Sequence, residues 1–164
     1  MAAPATWNSP KGNRGGKRAT SILSEARAMY QATIHERVLR IRNGVRASDV
    51  LRVANRMHIS KEFLVKALGF SRSAIDRKVK QRKHLSVDQA ERVLGLVRLI
   101  GQVEAMVVQS GQADGFDPPR WTGQWLQQPT PALGGRCPAE FSDTILGQEL
   151  LSALLARMQS GAYA

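Results

Sequence analysis

The sequence predicts an all-α protein: an N-terminal helix-turn-helix bundle followed by a small C-terminal helical region. Three observations carry this. Apolar residues recur at spacings of three and four in one segment after another. Serine, threonine or an Asn-Gly pair stands at the ends of these segments, where helices start and stop. No stretch alternates apolar and polar residues with the period of two that a half-buried strand requires.

Residues 1–20 are rich in Gly, Pro and basic side chains and are expected to be a disordered arm. Within them, residues 12–18 fail as a phosphate-binding loop. Lys11 stands where the first glycine belongs, and Arg18 where Ser or Thr belongs. Residues 21–42 have a helical pattern with Asn43-Gly44 as its stop. Ser48 is expected to cap a second helix that turns Val50, Val53, Ala54 and Met57 to one face. Ser60 caps a third, with Phe63, Leu64, Ala67 and Leu68 as its buried stripe and Gly69 at its end. Ser71 or Ser73 opens a fourth, anchored by Ile75 and Val79. The Ser86-Val-Asp-Gln89 run has capping-box spacing and starts a long helix reaching about Val108. Gly95 and Gly101 each cost that helix about 1 kcal/mol relative to alanine, so they are expected to mark close packing.

Residues 110–119 read as a turn-rich linker, followed by a short helix over 121–126 and a compact loop stiffened by Pro129 and Pro131. Pro138 suits the first turn of a short helix. Thr144 caps a last helix to about Gln159, with Leu146, Leu150, Leu154, Leu155 and Met158 expected inward. Met29, Met57, Met106 and Met158 read as core fillers. The organisation expected is an arm over 1–20, a helix-turn-helix region over 21–110 and a second region over 111–164.

The chain has 164 residues, 43% hydrophobic and 23% charged, enough for one domain or two small ones. Its net charge of +11 favours a polyanionic partner. Residues 1–110 hold 21 Lys/Arg against 8 Asp/Glu, whereas residues 111–164 hold 3 against 5. The excess therefore sits in the front of the chain, and the two parts are expected to do different jobs. Cys137 is the single cysteine, which gives no disulfide framework. With no signal-peptide pattern and no run of ~18–20 apolar residues, a cytoplasmic protein without a membrane partner is expected.

Residues 60–83 form two short helices joined by a Gly-containing turn, the layout in which a second helix enters a DNA major groove. That second helix exposes Arg72, Ser73, Arg77, Lys78 and Lys80. An arginine early in such a helix reaches a guanine edge bidentately. Lys78, Lys80, Arg82 and Lys83 are placed for phosphates, which position a protein without reading sequence. On charge alone, contact with an acidic protein stays open beside DNA binding.

The tail carries Trp125-Leu126, Pro129, Pro131-Ala-Leu-Gly-Gly-Arg136, Pro138-Ala-Glu140, Thr144, Gly147 and Arg157-Met-Gln-Ser-Gly161. In this order and spacing, the tail from Trp121 onward resembles the toxin-binding domain of Xre/MbcA/ParS-type antitoxins. Residues 50–108 are more loosely similar to the helix-turn-helix part of that family, and residues 1–45 carry none of the resemblance. The resemblance implies an antitoxin that neutralises a RES-domain toxin, an enzyme that degrades NAD, by covering its active-site entrance. Repression of its own operon through operator DNA is implied as a second role, with a homodimer expected because paired half-sites favour two-fold symmetry. Trp125, Leu133, Arg136, Glu140, Arg157, Gly161, Tyr163 and Ala164 are the implied toxin contacts, with Tyr163 and a terminal carboxylate as a plug. From composition alone the same end reads as a fraying terminus. Trp125, Leu133, Pro131 and Gly134 read as architecture, and Arg136 and Glu140 suit an internal salt bridge as well as a partner. Cys137 departs from the family pattern, which has a small hydroxyl residue there, and is expected to be a buried swap.

Catalytic, metal and cofactor sites are not expected. His35, His58 and His84 are scattered in basic helical contexts, and one cysteine completes no metal site. No nucleophile–base grouping emerges from the order of residues. Two rivals remain: a stand-alone helix-turn-helix regulator whose C-terminal region only dimerises, and a scaffold that meets an acidic protein without DNA.

Overall fold

The structure is a computed structural model that describes residues 22–111 and 113–161. The arm expected over 1–20, and Tyr163 and Ala164, lie outside the described residues. Among the described residues there are eight α-helices: α1 (Ala26–Gln31), α2 (Ile34–Arg42), α3 (Ala47–Arg56), α4 (Lys61–Ala67), α5 (Arg72–Lys80), α6 (Val87–Gln109), α7 (Pro118–Leu126) and α8 (Ile145–Gln159). Short 3-10 turns precede α1 at Ile22–Glu25 and bridge α7 to α8 at Pro131–Leu133 and Pro138–Phe141. Extended pairing among these residues is confined to two isolated bridges, Arg46 with His84 and Thr130 with Arg136. The fold is all-α, as the periodicity requires.

Three helix starts differ from the sequence reading. The pattern over 21–42 is divided at Ala32-Thr33, because Thr33 and Glu36 make a capping box. The Thr33 N–H donates to Glu36 Oε2 at 2.8 Å and the Glu36 N–H to Thr33 Oγ1 at 3.2 Å. Apolar spacing runs unbroken across this point, which conceals the cap. α3 starts at Ala47, so Ser48 lies inside the helix. Its first turn is held by the Ala47 N–H on Lys83 O at 3.0 Å and the Arg46 N–H on Asp49 Oδ2 at 3.3 Å. α7 starts at Pro118, with Asp117 Oδ1 accepting the Arg120 N–H at 3.2 Å. Proline at the first helical position has its φ already set and lacks only an N–H that would be orphaned. The caps expected at Ser60, Thr144 and the Ser86–Gln89 box are present, and Ser71 rather than Ser73 caps α5.

The core is arranged around α6. Ala90, Val93, Leu94, Leu96, Val97, Leu99 and Ile100 are buried on nearly every face of it, the pattern of a helix enclosed on all sides. α1, α7 and α8 pack against it from different directions. Both of its glycines mark close approach. A Cβ at Gly101 would overlap the Ala26 carbonyl of α1, and one at Gly95 would overlap the Gln148 side chain of α8. Gln148 is 2% exposed and donates to the carbonyls of Arg92 and Ser142, both at 2.9 Å. One turn farther along, Gln102 Nε2 donates to Ser152 O at 2.9 Å and Ser152 Oγ donates to Gln102 Oε1 at 2.7 Å. Leaving such buried groups unsatisfied costs about 1–3 kcal/mol each, so these pairs fix the register of α8 along α6. Among the described residues, no helix is long and apolar enough to cross a membrane.

Candidate functional site

Two surfaces carry the residues singled out from the sequence. The first is built on α4 and α5. The turn between them depends on Gly69, at φ +68°, where a side chain would be strained. Ser60 Oγ accepts from the Phe63 N–H at 3.0 Å and Ser71 Oγ from the Ala74 N–H at 3.4 Å, so each helix starts at its capping serine. Ile75 is 1% exposed and Val79 is half-buried, which turns the opposite face of α5 to solvent.

On that face Ser73, Arg77 and Lys80 are exposed. Arg72 is exposed too, but its guanidinium is engaged by Glu62 at 3.2 Å and, more distantly, by Asp76 at 4.0 Å. Lys61 completes the network with a 2.8 Å hydrogen bond to Asp76, which holds the Asp76 carboxyl below its ordinary range. Lys78 turns inward and donates to Gln89 Oε1 at 2.7 Å, tying α5 to the start of α6. Arg82 and Lys83 are exposed but lie past the end of α5, with Arg82 at φ +54°. They line a cleft of about 390 Å³ together with Arg46, Ser48 and Val79. Arg46 was missed by the sequence reading. It is 36 positions from Arg82, and the Arg46–His84 bridge, the Ala47 N–H on Lys83 O at 3.0 Å and the Leu85 N–H on Val45 O at 2.8 Å bring them together. Three cations thus converge beside the end of α5, an arrangement suited to phosphate oxygens.

The second surface lies on α7, the following loop and α8. Trp125 is 6% exposed and stacks on Trp121 at 5.9 Å, and Leu133 is half-buried against the same core. Arg136 is exposed on a tight loop closed by the Thr130 N–H on Arg136 O at 3.0 Å. Glu140 Oε1 accepts the Cys137 N–H at 3.0 Å, so its carboxylate caps the 3-10 turn at Pro138. Cys137 is half-buried, and its thiol donates to Gln127 O at 3.3 Å, the hydrogen bond a small hydroxyl would make. Arg157 and Gly161 are exposed at the end of α8. Tyr163 and Ala164 fall outside the described residues.

α8 corrects the sequence reading in one respect. Leu154 and Leu155 point inward as expected, with Leu151 beside them, but Leu146 is 77% exposed and Leu150 44%. Met158, expected in the core, is exposed as well. The helix is apolar on both sides, and α6 covers only one. Leu146, Leu150 and Ala153 border an open apolar cleft of about 600 Å³ with Phe141 and Thr144. Contiguous exposed leucines at i and i+4 on a helix are the signature of a docking face.

Comparison with known families matches both surfaces. Residues 36–98 match the antitoxin Xre-like helix-turn-helix domain. Residues 113–161 match the antitoxin Xre/MbcA/ParS C-terminal toxin-binding domain. A "Prs ADP-ribosylating antitoxin" of Sphingobium sp. (strain YBL2) is 43% identical over 138 residues, covering 84% of this chain and 87% of that protein. The chain belongs to the Xre/MbcA/ParS family of antitoxins. In this antitoxin the basic surface lies wholly within the helix-turn-helix match, and the apolar face of α8 lies wholly within the toxin-binding match. The three histidines of the antitoxin are exposed and apart, and no group of three potential metal ligands occurs among its described residues.

Proposed function

We propose that this antitoxin neutralises a RES-domain, NAD-consuming toxin in the cytoplasm by forming a direct complex with it, and that it represses its own operon by binding operator DNA as a homodimer. The observation that carries the toxin reading is the outer face of α8. Leu146 and Leu150 expose apolar surface within the segment matched as toxin-binding, and a helix apolar on two sides is stable in water when both sides are covered. Arg157 near the end of α8 and Gly161 just past it are exposed in the same matched segment, and with Tyr163 and Ala164 they would meet the toxin at its active-site entrance. Trp125 and Leu133 belong to the core of the same matched segment, while Arg136, exposed on its loop, would meet the toxin directly. Glu140 would act through its cap on the loop.

The ADP-ribosylation named for the Sphingobium relative supports an NAD-consuming partner. ADP-ribosylation takes its ADP-ribosyl group from NAD by breaking the bond between nicotinamide and ribose, the same bond that NAD hydrolysis breaks. The operator reading rests on Arg72, Ser73, Arg77 and Lys80 across α5, with Arg46, Arg82 and Lys83 as the phosphate grip. Lys78 contributes through its bond to Gln89 more than through DNA.

Co-expression with the protein encoded beside it, followed by size-exclusion chromatography and an NAD assay, tests the central claim. The wild-type chain should co-elute with the toxin and preserve cellular NAD, and the Leu146→Glu/Leu150→Glu variant should do neither while keeping its helical circular dichroism. Absence of a complex with the wild-type chain would overturn the toxin reading.

A further inference from the structure

α2 has no fully buried residue, alone among the α-helices of the described residues. Ile34 is 73% exposed, Val38 37% and Leu39 47%. A helix of nine residues is marginal in water by itself, and its stability comes from covering an apolar face. α2 also borders a groove of about 260 Å³ between α6 and the start of α8.

The charges around this groove are balanced. Arg37 and Arg98 line it with Glu91 and Glu149, two groups of each sign. Yet neither arginine forms an ion pair within 4 Å among the described residues, and Arg37 Nε is buried with no hydrogen-bond partner there. Burial, with the like charge of Arg37 beside it, lowers the proton affinity of the Arg98 guanidinium. A buried donor without an acceptor is costly, so a carboxylate arriving from outside would be strongly favoured.

We infer that this face receives a second copy of the chain, with α2 packing on α2 across a two-fold axis and Arg37 of each copy meeting Glu149 of the other. A face with equal numbers of both charges around an apolar strip is self-complementary, as a two-fold interface must be. Operator phosphates do not fit it, because they would lie against Ile34 and Val38 beside two carboxylates. The groove is also largely outside the toxin-binding match, which reaches only its α8 rim. The inference rests on the homodimer proposed above and specifies its surface.

Light scattering after size exclusion tests it on the full chain, using wild type, Val38→Glu, Arg37→Glu, Glu149→Arg and an equimolar mixture of the two charge variants. Wild type should be a dimer and each variant alone a monomer with an unchanged circular dichroism spectrum. The mixture should return to dimer mass, because both cross-axis pairs are then Glu opposite Arg. Recovery in the mixture also shows that both charge variants are folded. A monomeric wild type overturns the homodimer itself. A dimeric wild type with a dimeric Val38→Glu, or a mixture no more dimeric than its components, overturns this surface alone. Loss of toxin capture by Val38→Glu with dimerisation intact assigns the groove to the toxin and likewise overturns it.

Discussion

The Gln148 side chain fills the space that a β-carbon on Gly95 would occupy. Helix propensity by itself favours alanine at this position by about 1 kcal/mol. The overlap outweighs it, because displacing Gln148 breaks its bonds to Arg92 O and Ser142 O, and overpacking of this kind costs about 1–3 kcal/mol. Gly95→Ala should therefore lower the thermal midpoint. In a Gln148→Ala background the same change should be close to neutral, and a double-mutant cycle of melting curves measures the difference.

Leu150 and Leu151 are neighbours with opposite surroundings, 44% and 0% exposed. Leu151→Ala should destabilise the fold by about 2–5 kcal/mol, the range for a large apolar side chain removed from a core. Leu150→Ala should leave unfolding within about 0.5 kcal/mol of wild type, as surface changes do. Its effect should fall on toxin capture, read by pull-down with immobilised toxin. A large stability loss at Leu150 would mean that α8 is covered within one chain.

In the proposed operator complex, Glu62 would compete with DNA for Arg72. The 3.2 Å pair must open before the guanidinium reaches a base edge, and an exposed pair is worth about 0.2–1 kcal/mol. Glu62→Gln should raise affinity for the operator roughly 1.4- to five-fold in fluorescence anisotropy at fixed salt, following that range. Arg72→Ala should lower affinity and relax preference for the operator over random duplex.

Arg46→Ala should weaken binding to all duplexes alike, because the residue sits with Arg82 and Lys83 beside α5 and not on its reading face. The diagnostic is the salt dependence, where loss of one phosphate contact lowers the log–log slope by about 0.9. An unchanged slope would remove Arg46 from the interface.

Acid should loosen α2 before the rest of the chain. The Thr33 backbone N–H, and then its hydroxyl, hold the Glu36 carboxyl below its ordinary value. A depressed carboxylate stabilises the folded state above its unfolded pKa, and that contribution disappears as pH falls through the folded one. Amide exchange in α2 should accelerate below about pH 4, whereas Glu36→Gln should exchange faster at neutral pH with little further change, the usual glutamate value setting the window.

Most of the fold was legible because it depends on local signals. Ser60, Ser71, Ser86 and Thr144 are caps whose partners lie within three residues, and Gly69 ends α4 by its own backbone. The break at Thr33 was hidden by apolar residues continuing through it, and the start of α3 was hidden because Lys83 helps to hold it. The two surfaces were less legible for a related reason. Spacing shows that α8 has leucines on two sides, but which side α6 takes is decided by Gly95 and Gln148, 53 positions apart. Arg46 joins Arg82 through a bridge and backbone hydrogen bonds that no local pattern announces. Lys78 has the composition of a DNA contact, and only the position of Gln89 reveals it as a tether.

Arg92 binds Leu68 O at the helix-turn-helix turn, stands over the Phe70 ring at 4.9 Å and also reaches Asp143 O before α8. With α6 it joins both surfaces in one hydrophobic core, so neither is expected to open while the other stays closed. A cellular protease that captures the open form would then destroy the basic surface and the apolar face of a molecule in a single event. The supply of one would remain proportional to the supply of the other throughout turnover, and the proposed repression would be lifted in step with the loss of protection.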